Sequence, residues 1–371
     1  MRTSLKTAVA VICLTASATN SAPAQAAWRL VEVTRIGGAD EGLASFNSIR
    51  DVQLDASGQV WVLDFQAKSL RLFAADGKPI RELARSGMGP GEIANSNGFR
   101  RMPDGRMILR DHNASRLTVF APDGKYLTQM TLVSGGYGAR LDAGVDAQGR
   151  YQEATSQRLP DGNIRSVIVR VNAELTATDT TAAPGAACSA LPPPPPPVRV
   201  RNAVLGLPFG NSAITAFSPS GAYWCGSTGE YRVRRFAFGS ETHDLEVRRD
   251  IPRIPIPAAT RDSAIAGLEK LIASMGGAPQ PLDKGAVPRD RGPLIGIATD
   301  DRDRLWVMRE TANKTAELDV WDARGRQVAT LAPGFAARAG MLFRIHGDRL
   351  AVVLLDEDEL PTIFVYRIVT N

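Results

Sequence analysis

The sequence carries only three histidines and three cysteines. His112, His243 and His346 fall at different strand or loop positions of the pattern described below, so a three-histidine metal centre is not expected. Cys13 lies near the N-terminus, which leaves Cys188 and Cys225; two cysteines with no histidine nearby make no zinc site. There is no Gly-x-Ser-x-Gly elbow, so no Ser-His-Asp hydrolase can be read from motif. No Gly-Lys-Ser/Thr follows the glycine-rich stretch Gly87–Gly91, which excludes a Walker-type nucleotide loop. Lysine is scarce, and the excess of 44 basic over 39 acidic residues is carried mostly by scattered arginines. A nucleic-acid partner would need a clustered basic footprint, and none is present; a solvated mixed-charge surface is expected instead.

Long apolar runs are also missing, apart from one short run near the start. Arg2 and Lys6 precede the apolar stretch Ala8–Ala18, and Ala24-Gln25-Ala26 is a small-x-small cleavage site. Residues 1–26 are therefore expected to be a signal peptide, with the mature protein periplasmic or secreted and no membrane span after cleavage. Cys13 lacks a Leu three residues before it, which argues against a lipoprotein anchor. In an exported protein Cys188 and Cys225 are expected to form one disulfide, stabilising by about 4 kcal/mol on the chain-entropy model. The alternative is two unpaired buried thiols.

What is present is a repeat. Between residues 49 and 93 four short apolar runs, Ile49–Leu54, Val60–Leu63, Leu70–Phe73 and Pro79–Leu83, are separated by turns at Gly58, a polar loop and Asp76-Gly77. Such runs read as antiparallel strands joined by tight turns. The unit recurs at 98–132: Gly58-Gln-Val-Trp61 matches Gly105-Arg-Met-Ile108, Leu70–Phe73 matches Leu117–Phe120, and Asp76-Gly77-Lys78 matches Asp123-Gly124-Lys125. Weaker copies have anchor turns at 149, 221, 303 and 348. The spacings are 47, 44, 72, 82 and 45, and the two long intervals hold a proline-rich excursion (182–208, with six prolines from Pro192 to Pro197) and a helical insertion (253–293). A period of this size means stacked units, and four strands per unit make a propeller blade.

The last blade shows three strands, and the alternating segment Trp28–Ile36 has no partner nearby. Pairing the two would complete the ring and remove its exposed edges. The expected fold is all-β: residues 27–371 form a single six-bladed β-propeller, completed by the N-terminal strand joining the last blade. In blade three the later strands are expected at Ser166–Val171 and Leu175–Thr180. One inserted helix is expected between blades four and five. Its apolar face, with Ala264, Ile265, Leu268, Leu271 and Ile272, is expected to cover a propeller edge; a lid and a docking surface for an envelope assembly are alternatives.

Val60-Trp-Val-Leu-Asp64 through Leu70-Arg71-Leu-Phe73, and Ile108-Leu-Arg-Asp111 through Arg116-Leu-Thr-Val-Phe120, resemble the NHL repeat. With the connector Gly87-Met-Gly-Pro-Gly-Glu92, they are similar to exported bacterial six-bladed propellers of the NHL and TolB-like group. Blade three lacks the Asp and Arg at the matching places. The resemblance implies the fold; members of so broad a group bind, scaffold or catalyse, so it implies no single activity.

Propeller ligands usually meet loops at one face, where sequence varies over a rigid scaffold. The candidate ligand-binding residues there are Asp64, Arg85, Glu92, Asp111, His112, Arg116, Glu230 and Tyr231, with Arg309, Glu310 and the acidic stretch Asp356–Glu359 beside them. Each has a plainer reading. Asp64 with Arg71, and Asp111 with Arg116, are expected to fix loops within their blades. Gly87–Gly91 either presents amides to an anion or lets the chain cross between blades. The acidic stretch offers calcium-type oxygen ligands but no calcium-loop spacing. No cofactor is predicted, although a divalent metal such as calcium stays open. The expected function is an exported, non-enzymatic propeller, monomeric, that binds a peptide, glycan or envelope protein. The alternative is a metal-dependent, lactonase-like hydrolase or lyase using axial carboxylates; no catalytic residue or metal ligand is assigned.

Overall fold

The computed structural model describes residues 28–132, 141–184, 188, 197–200, 203–276 and 281–370. The expected signal peptide and the prolines at 192–196 lie outside them.

Each repeat folds into hairpins because of its first turn. The Asp55 carboxylate accepts hydrogen bonds from the amides of Ser57 (2.8 Å) and Gln59 (2.9 Å). Gly58 then turns the chain at φ 83°, a conformation that strains any side chain. Asp146 and Asp300 repeat the device. After Asp300 the left-handed position is taken by Asp303 at φ 61°, since Asp tolerates it better than most residues.

Among the described residues these hairpins form six four-stranded antiparallel sheets. Blade one is Ile49–Leu54, Val60–Asp64, Ser69–Phe73 and Pro79–Ala84. Blade two is Ser96–Arg101, Met107–Asp111, Arg116–Phe120 and Tyr126–Thr131. Blade three is Ala143–Val145, Tyr151–Arg158, Ile164–Val171 and Thr178–Ala182. Blade four is Ala213–Phe217, Tyr223–Ser227, Arg232–Phe236 and Leu245–Arg248. Blade five is Leu294–Thr299, Leu305–Glu310, Ala316–Trp321 and Gln327–Leu331. Blade six is Phe343–His346, Arg349–Leu355 and Pro361–Val369, with Arg29–Gly37 paired antiparallel to the last of these, Arg29 opposite Val369. The N-terminal strand thus supplies the missing fourth strand.

Blade three departs from expectation at Leu175. It was expected to open the last strand but sits in a turn at φ 58°. The reason is Asn172, whose side-chain oxygen accepts the amides of Thr176 (2.8 Å) and Ala177 (3.0 Å) and holds the chain in a loop for longer.

The first strands of neighbouring blades touch all the way round, blade six against blade one included. Between each successive pair of blades lies one apolar cluster. Alternate side chains of a strand feed different clusters: Val60 and Val62 pack towards blade six, Trp61 and Leu63 towards blade two. Both faces of the middle strands of blades one and two are therefore buried, which is why they read as largely apolar runs. Trp61, Trp224 and Trp306 recur at one position and are wholly buried.

The buried stripe of the helix meets the other insertion and not a blade among the described residues. The helix Ala258–Ser274 buries Ile265, Leu268 and Ile272 against Val200, Leu207 and Val287. Val200 belongs to a small hairpin, Val198–Val200 with Ala203–Leu205. So the helix packs on the end of the other insertion, and that partner covers only a narrow stripe. Leu271, expected on the buried face, is 47% exposed. Cys188 and Cys225 form a disulfide, Cα–Cα 5.4 Å, which fastens the segment after blade three to the second strand of blade four. No helix among the described residues is long and apolar enough to cross a membrane.

Candidate functional site

The first strands surround an axial cavity of about 630 Å³. Its wall includes Leu54, Arg100, Arg101, Asp142, Asp146, Ile214, Ile297, Asp300, Asp301, Phe343, Arg344 and His346, drawn from all six blades and from both ends of the strands. Each first strand is hydrogen-bonded on one side only, so its other edge faces the axis.

Most charges of this wall are neutralised within the fold. Asp51 is 2% exposed and is gripped by Arg100 of blade two and by Arg344 of blade six, the latter at 2.8 Å. It also accepts the Phe99 amide at 3.2 Å. Arg100 donates onward to the carbonyls of Ala143 (2.6 Å) and Leu141 (2.7 Å). This chain of contacts fastens blades six, one, two and three at the axis. Asp146 is paired with Arg150 at 2.6 Å. Asp300 is paired with Arg304 at 2.6 Å and accepts the Trp306 indole N–H at 2.8 Å. Asp301 accepts the Gly347 amide at 2.9 Å.

Two wall residues are different. Asp142 accepts a hydrogen bond from Thr215, and its pKa is pushed up to about 6 by desolvation. No cation stands within ion-pair distance of it among the described residues. Arg101 donates to His346 Nδ1 at 3.3 Å and to the Met102 carbonyl at 3.4 Å, and it too lacks an ion-pair partner among the described residues. Because an arginine can only donate, His346 Nδ1 accepts and the ring is neutral. That agrees with its pKa, which is lowered first by burial and then by the charge of Arg101.

None of the eight residues singled out from sequence lines this cavity. Asp64 accepts the amides of Asn47 (3.0 Å), Ser48 (3.3 Å) and Ala67 (3.1 Å). Asp111 does the same for Ala94 (2.7 Å), Asn95 (3.1 Å) and Ala114 (3.2 Å). Arg71 holds the carbonyls of Leu43 and Ser45, and Arg116 those of Met88 and Glu92. Each Asp ties a blade's first and second hairpins to the incoming chain, and each Arg ties down the preceding connector. Arg85, Glu92 and Arg116 are brought together there. The Glu92 carboxylate accepts the Gly89 amide at 2.9 Å and lies 3.7 Å from Arg85. A Cβ on Gly87 would fall 1.9 Å from the Glu92 carboxylate, so the glycines make room for this side chain.

The remaining three lie elsewhere. His112 Nε2 is 3.9 Å from Glu153, a residue paired with buried Arg110 at 2.9 Å and hydrogen-bonded by Tyr151 at 2.8 Å. The pKa of His112 is lowered by desolvation and then by Arg110. Glu230 stands 3.8 Å from Arg232. Tyr231 donates to Asp319 at 3.0 Å and accepts from Trp321 at 2.9 Å, and its burial pushes its pKa up. Asp319 is further held by Arg249 and Arg309, so this cluster joins blades four and five. Glu310 pairs with Arg291. In the acidic stretch, Asp356 accepts the amides of Asp358 and Leu360 and the Thr362 hydroxyl. Among the described residues no three His, Cys, Asp or Glu side chains gather as a metal site.

Sequence reading missed Arg101 and Asp142. No local pattern marks either: Arg101 ends the strand Ser96–Arg101, which reads SNGFRR, and Asp142 stands just before the strand Ala143–Val145.

No family model matches the chain, and no curated protein matches it. Among solved structures, a member of the DUF4221 family from Bacteroides vulgatus is similar, with a TM-score of 0.54 and 10% identity, over 94% of this chain and all of that one. The fold is a six-bladed propeller. A streptogramin B lyase (TM-score 0.46, 12% identity, 92% of this chain and 98% of that one) and a luciferin-regenerating enzyme (0.44, 12%, 87% and 91%) are also similar. Likenesses at these identities concern the fold alone.

Proposed function

We propose that the chain is an exported binding protein that takes a peptide, a glycan or a segment of a partner protein into its axial channel. The observation that carries this reading is the cavity itself. Its volume of about 630 Å³ lies in the range of small-molecule sites, and its wall mixes apolar side chains such as Ile214, Ile297 and Phe343 with charged and polar ones. The first strands frame the channel, with turn and loop residues such as Asp301 and Met341 at their ends, so much of its geometry is fixed before a ligand arrives.

The metal-dependent alternative lacks a comparable observation. Asp146 and Asp300 are already engaged by arginines, and Asp142 and Asp301 belong to no group of three His, Cys, Asp or Glu side chains among the described residues. No step through a metal is derived.

The test combines native mass spectrometry, elemental analysis and ligand retention on protein purified without chelator. Peptide or glycan pools should be retained by the wild-type chain and lost in Gly296→Trp. Gly296 lines the cavity, and a Cβ there meets only Phe343, at 3.6 Å, so the indole fills the channel without a backbone clash. A stoichiometric divalent ion together with turnover of lactone or ester substrates would overturn the reading in favour of a hydrolase or lyase.

A further inference from the structure

Arg101 and Asp142 are two wall charges without an ion-pair partner among the described residues, and they stand at different levels of the channel; the third, Asp301, is held by the Gly347 amide at 2.9 Å. Across its hairpin Arg101 is opposite Met107, and Val145 is opposite Tyr151 at the same place in the next blade. Asp142 lies three positions before Val145, towards the face of the inter-blade connectors. At the rise of a β-strand, three positions correspond to roughly 10 Å along the axis. An extended chain of three residues spans about the same distance.

The other charges near these two groups do not neutralise them. Around Arg101 stand Asp301, Asp55 and Asp104, none within ion-pair distance. Around Asp142 stand Arg100, itself committed to Asp51, and Glu153, committed to Arg110. The wall near these levels combines Ile214, Ile297 and Phe343 with Gln53, Thr215 and the guanidiniums of Arg100 and Arg344, both of which are committed to Asp51. The Phe99 amide and the carbonyls of Leu141 and Ala143 are taken by Asp51 and Arg100; the inner-edge backbone groups that remain can hold an extended peptide as sheet edges do. A glycan would use those groups but would bring no pair of opposite charges.

We propose that the channel takes a short peptide of about three residues with both ends free, its ammonium at Asp142 and its carboxylate at Arg101. This rests on the channel reading given above. The guanidinium suits a terminal carboxylate, since its fork can make two parallel hydrogen bonds to the two oxygens. The orientation follows from the wall: the amino end points to the connector face, the carboxyl end to the face of the Asp-x-x-Gly turns.

The experiment is affinity selection by mass spectrometry from three random tripeptide pools, one free-ended, one N-acetylated and one C-amidated, on wild type, Asp142→Asn, Arg101→Gln and Gly296→Trp. The wild-type chain should retain free-ended members at least tenfold more strongly than either blocked pool. Asp142→Asn should lose the discrimination against acetylation and keep that against amidation; Arg101→Gln should do the reverse. Equal retention of all three pools, abolished by Gly296→Trp, would overturn the assignment of the ends while leaving the channel as the binding site. If no tripeptide is retained, the peptide assignment falls, and an oligosaccharide pool on wild type and Gly296→Trp then judges the channel separately. Retention that survives Gly296→Trp would overturn both.

Discussion

Asp111 and Asp142 are carboxylates in neighbouring blades, and the fold treats them in opposite ways. Asp111 is wholly buried, and its two oxygens receive three backbone amides, with Arg116 at 4.0 Å. Asp142 faces the cavity with one hydroxyl for company and a pKa raised to about 6. The first charge is consumed by architecture. The second is left partly unsatisfied, and a group held in that condition destabilises the fold unless something else compensates. Perturbed and unpartnered charges in a cavity therefore point to ligands better than conspicuous loop charges do.

The contrast can be broken by substitution. The largest effect is expected for Asp111→Ala, which strands three amides and Arg116; a loss of about 4 kcal/mol should be read from chemical denaturation. A loss below about 1 kcal/mol would mean that the clasp is not structural. Asp51→Asn should cost about 3 kcal/mol, because Arg100 and Arg344 are left facing each other with no charge between them. Leu268→Ala should cost about 2 kcal/mol but act on the insertion. Hydrogen exchange should rise in the helix and in the hairpin at 198–205 while the blades stay protected.

The smallest expected effect has the opposite sign. Between its unfolded pKa of 3.8 and its folded value of about 6, Asp142 binds a proton in the folded chain that the unfolded chain has released. Stability therefore falls as pH rises through that window, and the deficit is complete above it. Asp142→Asn should stabilise by about 1 kcal/mol at pH 7.5, less than the full shift implies because part of the side chain stays in contact with the cavity. Below pH 3.8 the gain should vanish. Thermal melts at the two pH values decide the matter, and destabilisation at pH 7.5 would show that Asp142 is a structural group like Asp111.

The blades were legible because their turns are local: an Asp whose own carboxylate caps the next amides, followed by Gly58, Gly105 or Gly149, writes a hairpin into six residues. The N-terminal strand was legible by subtraction, since blade six came up one strand short. The channel was not legible in the same way. Arg101 and Asp142 are neighbours only because the ring sets one first strand beside the next, and no local pattern announces that both face the axis. Leu271 shows a related limit. Helical spacing placed it with Ile272, but a partner as small as the 198–205 hairpin covers only the i, i+3, i+7 stripe of 265, 268 and 272. Asp64, Glu92 and Arg116 stand out in sequence because the repeat uses them to fix its loops.

The pairing of Arg29 with Val369 has a kinetic meaning. The contact joins strands separated by almost the whole described chain, so closing it carries the largest loop-closure entropy in the molecule. Until that happens blade six lacks its outer strand, and Ile363 and Val365, which pack with Ile36 and Val52, have only part of their cover. A chain that folds blade by blade from its N-terminus holds five blades in an open arc and finishes the circle last. The same arrangement makes the seam dispensable in principle: a permuted chain cut at another inter-blade connector, with the present first and last strands joined, would fold to the same ring with its slow step moved to the new cut.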